Sequence, residues 1–239
     1  MSRFVGVDWA SGCWVVVATD RYNVEITTEP SILNVWYRHR QADSILVDIP
    51  IGLPETSPRA CDERAKEFLA NRRSSVFAVP CRDAVETRDY DRAREKNGGK
   101  LGSQSWGLIL RIREVDTFLS IHSEAEDSIY ESHPEVCYTQ FAEQEGVESI
   151  GSKQNPGGID DRVKILEMVN EGFGSEVREF IKERRDGAAW HRRIQSGRID
   201  DVLDAAVLAL TAKEADGTFS VFPEEQGAND RRVIVYPPA

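Results

Sequence analysis

The sequence lacks any long hydrophobic run and any leader-like start. Nowhere in the 239 residues does an uncharged apolar stretch reach the length of about 18 residues that a membrane-spanning helix needs. The first residues, MSRFVGVDWAS, enter a patterned segment directly, without the charged and then apolar stretch of a secretory signal. We therefore expect a cytoplasmic protein with no membrane partner.

Cysteine is scarce and scattered. The four cysteines, Cys13, Cys61, Cys81 and Cys137, form no C-x-x-C pair, which argues against a zinc site. Free cysteine is among the most frequently buried residue types. We expect these thiols to be reduced and buried, as is usual for a cytoplasmic protein.

Positive charge is also in short supply. The formal net charge is −11, and lysine provides only 7 of the 30 basic residues. Such a balance is unusual for a protein that binds nucleic acid, yet residues 59–113 alone carry a local charge of +5. An acidic, lysine-poor surface is typical of a salt-rich cytoplasm, where charge repulsion is screened, so a halophilic source is one hypothesis.

The first part of the chain predicts a sheet and one helix that connects two of its strands. Three β-rich runs are separated by turn-type breaks short enough for an antiparallel meander, and they cover residues 3–9, 13–19 and 23–28. A helix over 31–41, capped by Ser31, then leads to a fourth strand within 44–54. Prolines in its second half prevent an ordinary central strand there.

The later segments predict helices on both faces of that sheet. The sequence SIYESHPEV indicates a fifth strand, and RRVIVYPP a last β-type run. Because crossovers between parallel strands are right-handed, the fourth strand should lie beside the first. We predict a single α/β domain over 1–239, with three antiparallel and then two parallel strands and a helical, arginine-rich insertion at about 55–103. The other helices are expected at 58–73, 104–122, 134–145, 158–171, 175–185 and 199–213.

Carboxylates recur at the expected strand ends. Asp8, Asp48 and Glu135 each follow a β-type run, and the carboxyl ends of neighbouring parallel strands meet at one edge of the sheet. Asp201 and Asp204 lie three residues apart, on one face of the predicted helix, and we predict that Asp200 is the N-cap of that helix. The residues around Asp204 are almost entirely apolar. An unpaired buried charge is costly. We expect two Mg²⁺ or Mn²⁺ ions among these oxygens.

Several short motifs add a family resemblance. They are GVDWA, DIPIGLP, RACDERA, HPEVC, the K-x4-G-x3-R-x3-L run from Lys153 to Leu166, and DDVLDAAVLALTA. In this order, over about residues 4–213, they resemble the domain-of-unknown-function 429 family of predicted ribonuclease H-like nucleases. The order of acidic residues likewise looks like the ribonuclease H fold, and the D-x-x-D-A spacing resembles the last helix of Holliday-junction resolvases in that superfamily.

This resemblance implies roles for particular residues. The acidic site would be formed by Asp8, Asp48, Glu135 and Asp204, with Asp201 as an alternate ligand. The resemblance also points to substrate-binding basic residues near it: Arg59, Arg64, Arg73, Arg82, Lys153 and Arg162.

The leading hypothesis is a metal-dependent nuclease, because paired divalent ions promote phosphodiester cleavage and the basic segment could bind a phosphate backbone. Two alternatives stay open. One is a nucleotide-binding phosphotransferase or ATPase of the same superfamily, and the other is a non-catalytic nucleic-acid-binding module. Whether DNA or RNA is the partner, and the oligomeric state, do not follow from the sequence.

Overall fold

The computed structural model describes residues 2–56, 58–153, 155–185, 198–224 and 230–239. Within these residues the strands are β1 (Phe4–Trp9), β2 (Trp14–Thr19), β3 (Val24–Glu29), β4 (Ser44–Val47), β5 (Ile129–Glu131), β6 (Ser220–Phe222) and β7 (Ile234–Tyr236). The α-helices there are α1 (Ile32–His39), α2 (Ala60–Leu69), α3 (Arg82–Glu86), α4 (Tyr90–Lys96), α5 (Ser103–Ile121), α6 (Pro134–Gln144), α7 (Pro156–Val169), α8 (Glu171–Arg185) and α9 (Ile199–Ala215).

The main sheet has five strands in the order β3-β2-β1-β4-β5. The pairs β1–β2 and β2–β3 are antiparallel, whereas β1–β4 and β4–β5 are parallel. This arrangement confirms the predicted α/β sheet, including the position of the fourth strand beside the first. The short antiparallel pair of β6 and β7 adds a strand, β6, that the sequence analysis missed.

Alternation along the strands divides the core into two layers. Val5 and Val7 of β1 pack with α1 and α5 on one face of the sheet. Phe4, on the opposite face, belongs to the layer that contains α6 to α9. Because side chains alternate across a strand, Asp8 shares the face of Phe4 and Gly6, which is the face covered by α9.

Gly6 allows α9 to lie directly on the sheet. A Cβ atom at Gly6 would lie 2.0 Å from the carbonyl oxygen of Ala205 and 2.3 Å from the backbone nitrogen of Ala209. Any larger residue would therefore push α9 away from β1. The close approach brings the carboxylate of Asp204 down to the level of the strand ends.

Two predicted segment boundaries shift near the candidate site. The fourth strand ends at Val47, before the prolines, and the fifth ends at Glu131 because Pro134 already begins α6. Glu135 had been predicted at the end of a strand. It lies instead in the first turn of α6. In α9 the N-cap is Arg198, so Asp200 lies in the first turn and does not cap the helix.

The segment between β4 and α5 is mainly helical, as expected for residues 55–103. It contains α2, a 3-10 helix at Ala70–Ser75, α3 and α4. Ser31 caps α1 as predicted, since its Oγ accepts a hydrogen bond from the backbone N–H of Asn34 at 3.2 Å. Among the described residues, no helix combines the length and the apolar character needed to cross a bilayer.

Candidate metal centre

Two neighbouring strands place the first two carboxylates. In the parallel pairing of β1 and β4, Val7 lies opposite Val47, and the next residues are Asp8 and Asp48. The backbone N–H of Asp48 donates to the carbonyl of Val7 at 3.0 Å, so the pairing continues one residue beyond β4. Both aspartates consequently lie at the carboxyl edge of the sheet, where α/β folds place their sites.

Helix α9 supplies the third carboxylate. Asp204 is buried in the stretch of α9 that crosses β1, with apolar side chains on both sides along the chain. One oxygen from each of Asp8, Asp48 and Asp204 lies within 4.8 Å of the others. We call these three residues the acidic cluster.

The spacing of the acidic cluster suits a small divalent cation. Octahedral Mg²⁺ holds oxygens at 2.0–2.1 Å, which separates its ligand atoms by about 3 to 4 Å. The three oxygens of the cluster, all within 4.8 Å of one another, would have to approach by at most about 1 Å to reach the upper end of that range. Oxygen-only ligands favour Mg²⁺ or Mn²⁺ over softer metals.

The electrostatics of the acidic cluster indicate a shortage of positive charge. Burial, with repulsion from Asp48 and Asp204, raises the pKa of Asp8 well above its usual value. Burial and repulsion from Asp204 raise the pKa of Asp48 to about 7. Carboxylates that resist ionisation in this way are characteristic of functional sites, and a bound cation would reverse the effect.

An unpartnered oxygen provides independent support for a bound cation. Asp204 is only 2% exposed. Within the described part of the chain, its Oδ1 is buried and has no hydrogen-bond partner. Buried polar atoms are nearly always satisfied in native proteins. A metal ion at this oxygen would satisfy it.

Two cations flank the acidic cluster. Nζ of Lys153 lies 2.5 Å from Oδ2 of Asp204. On α9, Nε of Arg198 donates to Oδ2 of Asp201 at 2.9 Å. Asp201 retains a raised pKa of about 6, mainly because it is buried. Asp201 therefore lies beside the acidic cluster with an arginine already bound to it.

Glu135 was predicted to bind a metal ion, and in the structure it pairs with two arginines. Its Oε1 accepts from Arg162 at 2.5 Å and its Oε2 from Arg72 at 2.6 Å. The two arginines lower the pKa of Glu135 despite the opposing effect of burial. Both oxygens of Glu135 are therefore engaged by guanidinium groups, and its metal-ligand role stays a prediction.

Arg59 is the centre of a second buried ionic group. Its Nη2 lies 2.6 Å from Asp62 and 2.5 Å from Glu131, and its Nη1 donates to the carbonyl of Ile51 at 3.0 Å. Glu131 also accepts from the backbone N–H of Ile51 at 2.6 Å. We call Arg59, Asp62 and Glu131 the Arg59 network. It fixes the loop after Asp48, and Arg59, only 3% exposed, does not offer its charge to a substrate.

The other predicted basic residues are spread over the surface and the core. Arg64 is exposed and pairs with Glu67, Arg73 is exposed in the 3-10 helix, and Arg82 forms two hydrogen bonds with Asp116. Arg162 is buried among carbonyl and carboxylate oxygens. Of the six predicted basic residues, Lys153 is the one in direct contact with the acidic cluster.

The sequence profile of a family described as "Protein of unknown function (DUF429)" matches residues 6–228. That match covers nearly the whole chain and all the residues of the acidic cluster. The chain belongs to the DUF429 family. This confirms the resemblance of the motifs to the DUF429 family. No curated protein and no solved structure matches the chain, so the DUF429 assignment is supported by the profile and the site by its own geometry.

Proposed function

We propose that this DUF429 protein is a metal-dependent hydrolase of phosphodiester bonds in nucleic acid, with a ribonuclease H-like arrangement of acidic residues. One observation carries the proposal: three buried or half-buried carboxylates from two parallel strands and a helix converge within 4.8 Å. The unpartnered Oδ1 of Asp204 supports the same conclusion.

Asp8, Asp48 and Asp204 would hold the ion through carboxylate oxygens. A bound Mg²⁺ or Mn²⁺ supplies Lewis-acid polarisation of a phosphate oxygen and activation of a water. The chain's own contribution is to keep the three carboxylates at fixed positions on β1, the end of β4 and α9. The Arg59 network assists by fixing the loop that follows Asp48.

The basic segment is the proposed contact for the nucleic-acid backbone. It follows the loop that leads away from Asp48 at the end of β4, and residues 59–113 carry the local positive charge. Arg64 and Arg73 are exposed there and are the side chains that we assign to phosphate contacts. Because released counterions drive such binding, association should weaken as salt concentration rises.

Cleavage assays with matched variants test this function. Wild-type protein with Mn²⁺ or Mg²⁺ is incubated with single-stranded, double-stranded and branched DNA and with RNA, and products are separated by gel electrophoresis. We expect metal-dependent cleavage that falls at least about a hundredfold in Asp8→Asn and Asp48→Asn. Asp160→Asn removes an exposed carboxylate from α7 and should retain full activity. Cleavage that survives in Asp8→Asn would exclude the acidic cluster as its source.

The same preparations separate the two alternative functions. Metal-dependent ATP hydrolysis without cleavage of any nucleic acid would favour the phosphotransferase or ATPase. Binding of nucleic acid and metal without any turnover would favour a non-catalytic module, in which the acidic cluster serves structure. Fold alone does not distinguish these activities.

A further inference from the structure

Lys153 contributes a built-in positive charge to the acidic cluster. Its Nζ contacts Oδ2 of Asp204 at 2.5 Å, and its side chain is 36% exposed. Its charge also acts on Asp8 and Asp48. The ammonium therefore lies beside the acidic cluster, at the Oδ2 side of Asp204.

The loop that carries Lys153 is held firmly in place. Nη1 of Arg162 donates to the carbonyls of Gly151 at 2.8 Å and Gly158 at 3.0 Å. The backbone N–H of Gly151 donates to Asp161 at 2.9 Å. A Cβ atom at Gly158 would lie 2.0 Å from the carbonyl oxygen of Ser152, so the absence of a side chain allows the loop to pack against α7. These contacts hold the backbone that carries the Lys153 side chain.

The number of free carboxylates limits the number of ions. Two divalent ions in a shared site draw on the same free carboxylate oxygens, and their positive charge must be offset by those carboxylates. The two further candidates are committed elsewhere, since Glu135 binds Arg72 and Arg162 and Asp201 binds Arg198. Three carboxylates and one ammonium leave a charge of −2, which one divalent cation neutralises.

We propose that the acidic cluster takes a single divalent cation and that the ammonium of Lys153 replaces a second one. The inference rests on the proposed metal-dependent function and replaces the expectation of two ions. Oδ1 of Asp204 serves the metal ion while Oδ2 stays with Lys153. The ammonium has three donors, so those not used by Asp204 are available for a phosphate oxygen of the substrate.

Counting bound Mn²⁺ tests the inference without reference to turnover. Metal-free protein is titrated with Mn²⁺, and bound ions are counted by electron paramagnetic resonance and by native mass spectrometry. We expect about one ion per wild-type chain and about two per Lys153→Met chain, because the variant frees Oδ2 of Asp204 and leaves three carboxylates without an internal cation. Lys153→Arg keeps the charge and should retain one ion. Lys164→Met, at an exposed position on α7, is the matched control and should also bind one.

The possible outcomes separate the inference from the proposed function. Two ions per wild-type chain, both lost in Asp8→Asn, would overturn the role of Lys153 even if nucleic acid is cleaved. An unchanged single ion in folded Lys153→Met would overturn it as well. One ion in wild type and two in Lys153→Met, without cleavage of any substrate, would support the inference and reject the nuclease. Binding of no ion by any of the proteins would reject both. If Lys153→Met does not fold, Lys153→Gln, which also removes the charge, is counted in its place.

Discussion

Two groups of buried charges lie side by side at the same edge of the sheet, and they are satisfied in opposite ways. The acidic cluster combines Asp8 near the end of β1, Asp48 just after β4 and Asp204 of α9. The Arg59 network includes Glu131, which lies opposite Val47 in the pairing of β4 and β5. In the Arg59 network a buried guanidinium reaches both carboxylates. In the acidic cluster three carboxylates share one half-exposed ammonium.

This contrast separates buried charges that stabilise the fold from buried charges that remain able to bind a ligand. A carboxylate with its hydrogen bonds complete, such as Glu131, has little capacity left for a ligand. Asp204 instead retains a buried oxygen with no hydrogen-bond partner among the described residues. Repulsion between carboxylates contributes to the raised pKa values of Asp8 and Asp48, whereas Arg59 opposes the rise that burial causes in the pKa of Glu131. Stored electrostatic repulsion of this kind is typical of sites that trade stability for function.

Breaking the Arg59 network should have the largest effect. Arg59→Met leaves Asp62 and Glu131 buried without a cation, and the loss of one partner from such a group costs about 3–5 kcal/mol. The free energy of unfolding is measured by urea denaturation. Arg82→Met is the control, because the pair of Arg82 with Asp116 is partly exposed and should be worth less than about 1 kcal/mol. Similar losses in the two variants would contradict the contrast between the regions.

Binding of a divalent cation should stabilise the acidic cluster. Mn²⁺ at a hundred times its dissociation constant stabilises a protein by about 2.7 kcal/mol when only the folded state binds it. We expect a matching rise in the melting temperature of wild-type protein and none in Asp8→Asn. The exposed-site variant Asp160→Asn should respond as wild type does. An equal rise in Asp8→Asn would place the metal elsewhere.

The sequence predicted the acidic cluster because its signals are local. Asp8 and Asp48 each follow a β-type run, and Asp204 interrupts an apolar helix. Strand alternation and right-handed crossovers then bring the three side chains to one edge. The sheet order followed from the same short-range patterns, so these parts of the prediction needed no long-range information.

The ion-pair partners of Glu135 and Arg59 could not be predicted from the sequence. Glu135 lies in a helix because Pro134 starts one, and its two arginines come from positions 63 and 27 residues away along the chain. Glu131, which sequence reasoning missed, meets Arg59 across 72 residues. Such pairs depend on tertiary distances, and an arginine beside many carboxylates gives no sequence signal of which one it binds. The nearest available signal for Glu131 was its place at the end of β5.

Replacing one carboxylate by an amide in each region should change stability in opposite directions. Asp48→Asn removes a charge that is repelled by its neighbours, so in the presence of a chelator we expect a gain of about 1–2 kcal/mol. Glu131→Gln weakens the hydrogen bonds of Arg59 and should lose about 1–3 kcal/mol. Urea denaturation of the metal-free proteins measures both changes. A loss in Asp48→Asn comparable to that in Glu131→Gln would show that the acidic cluster is as well satisfied as the Arg59 network.

His39 allows the cost of burial to be measured apart from both regions. It is 2% exposed on α1, and neither ring nitrogen has a hydrogen-bond partner in the described part of the chain. Burial and the charges of Arg3 and Arg38, opposed by Glu25, lower its pKa to about 4. The unfolded chain, in which histidine has its usual pKa of about 6.5, therefore binds more protons between these values, and stability must fall as the pH falls through that window. Between pH 7 and pH 5.5 we expect a loss of about 1 kcal/mol that His39→Gln removes, measured by urea denaturation at each pH. If the free energy of unfolding changes equally with pH in wild type and in His39→Gln, the acid sensitivity belongs to other groups.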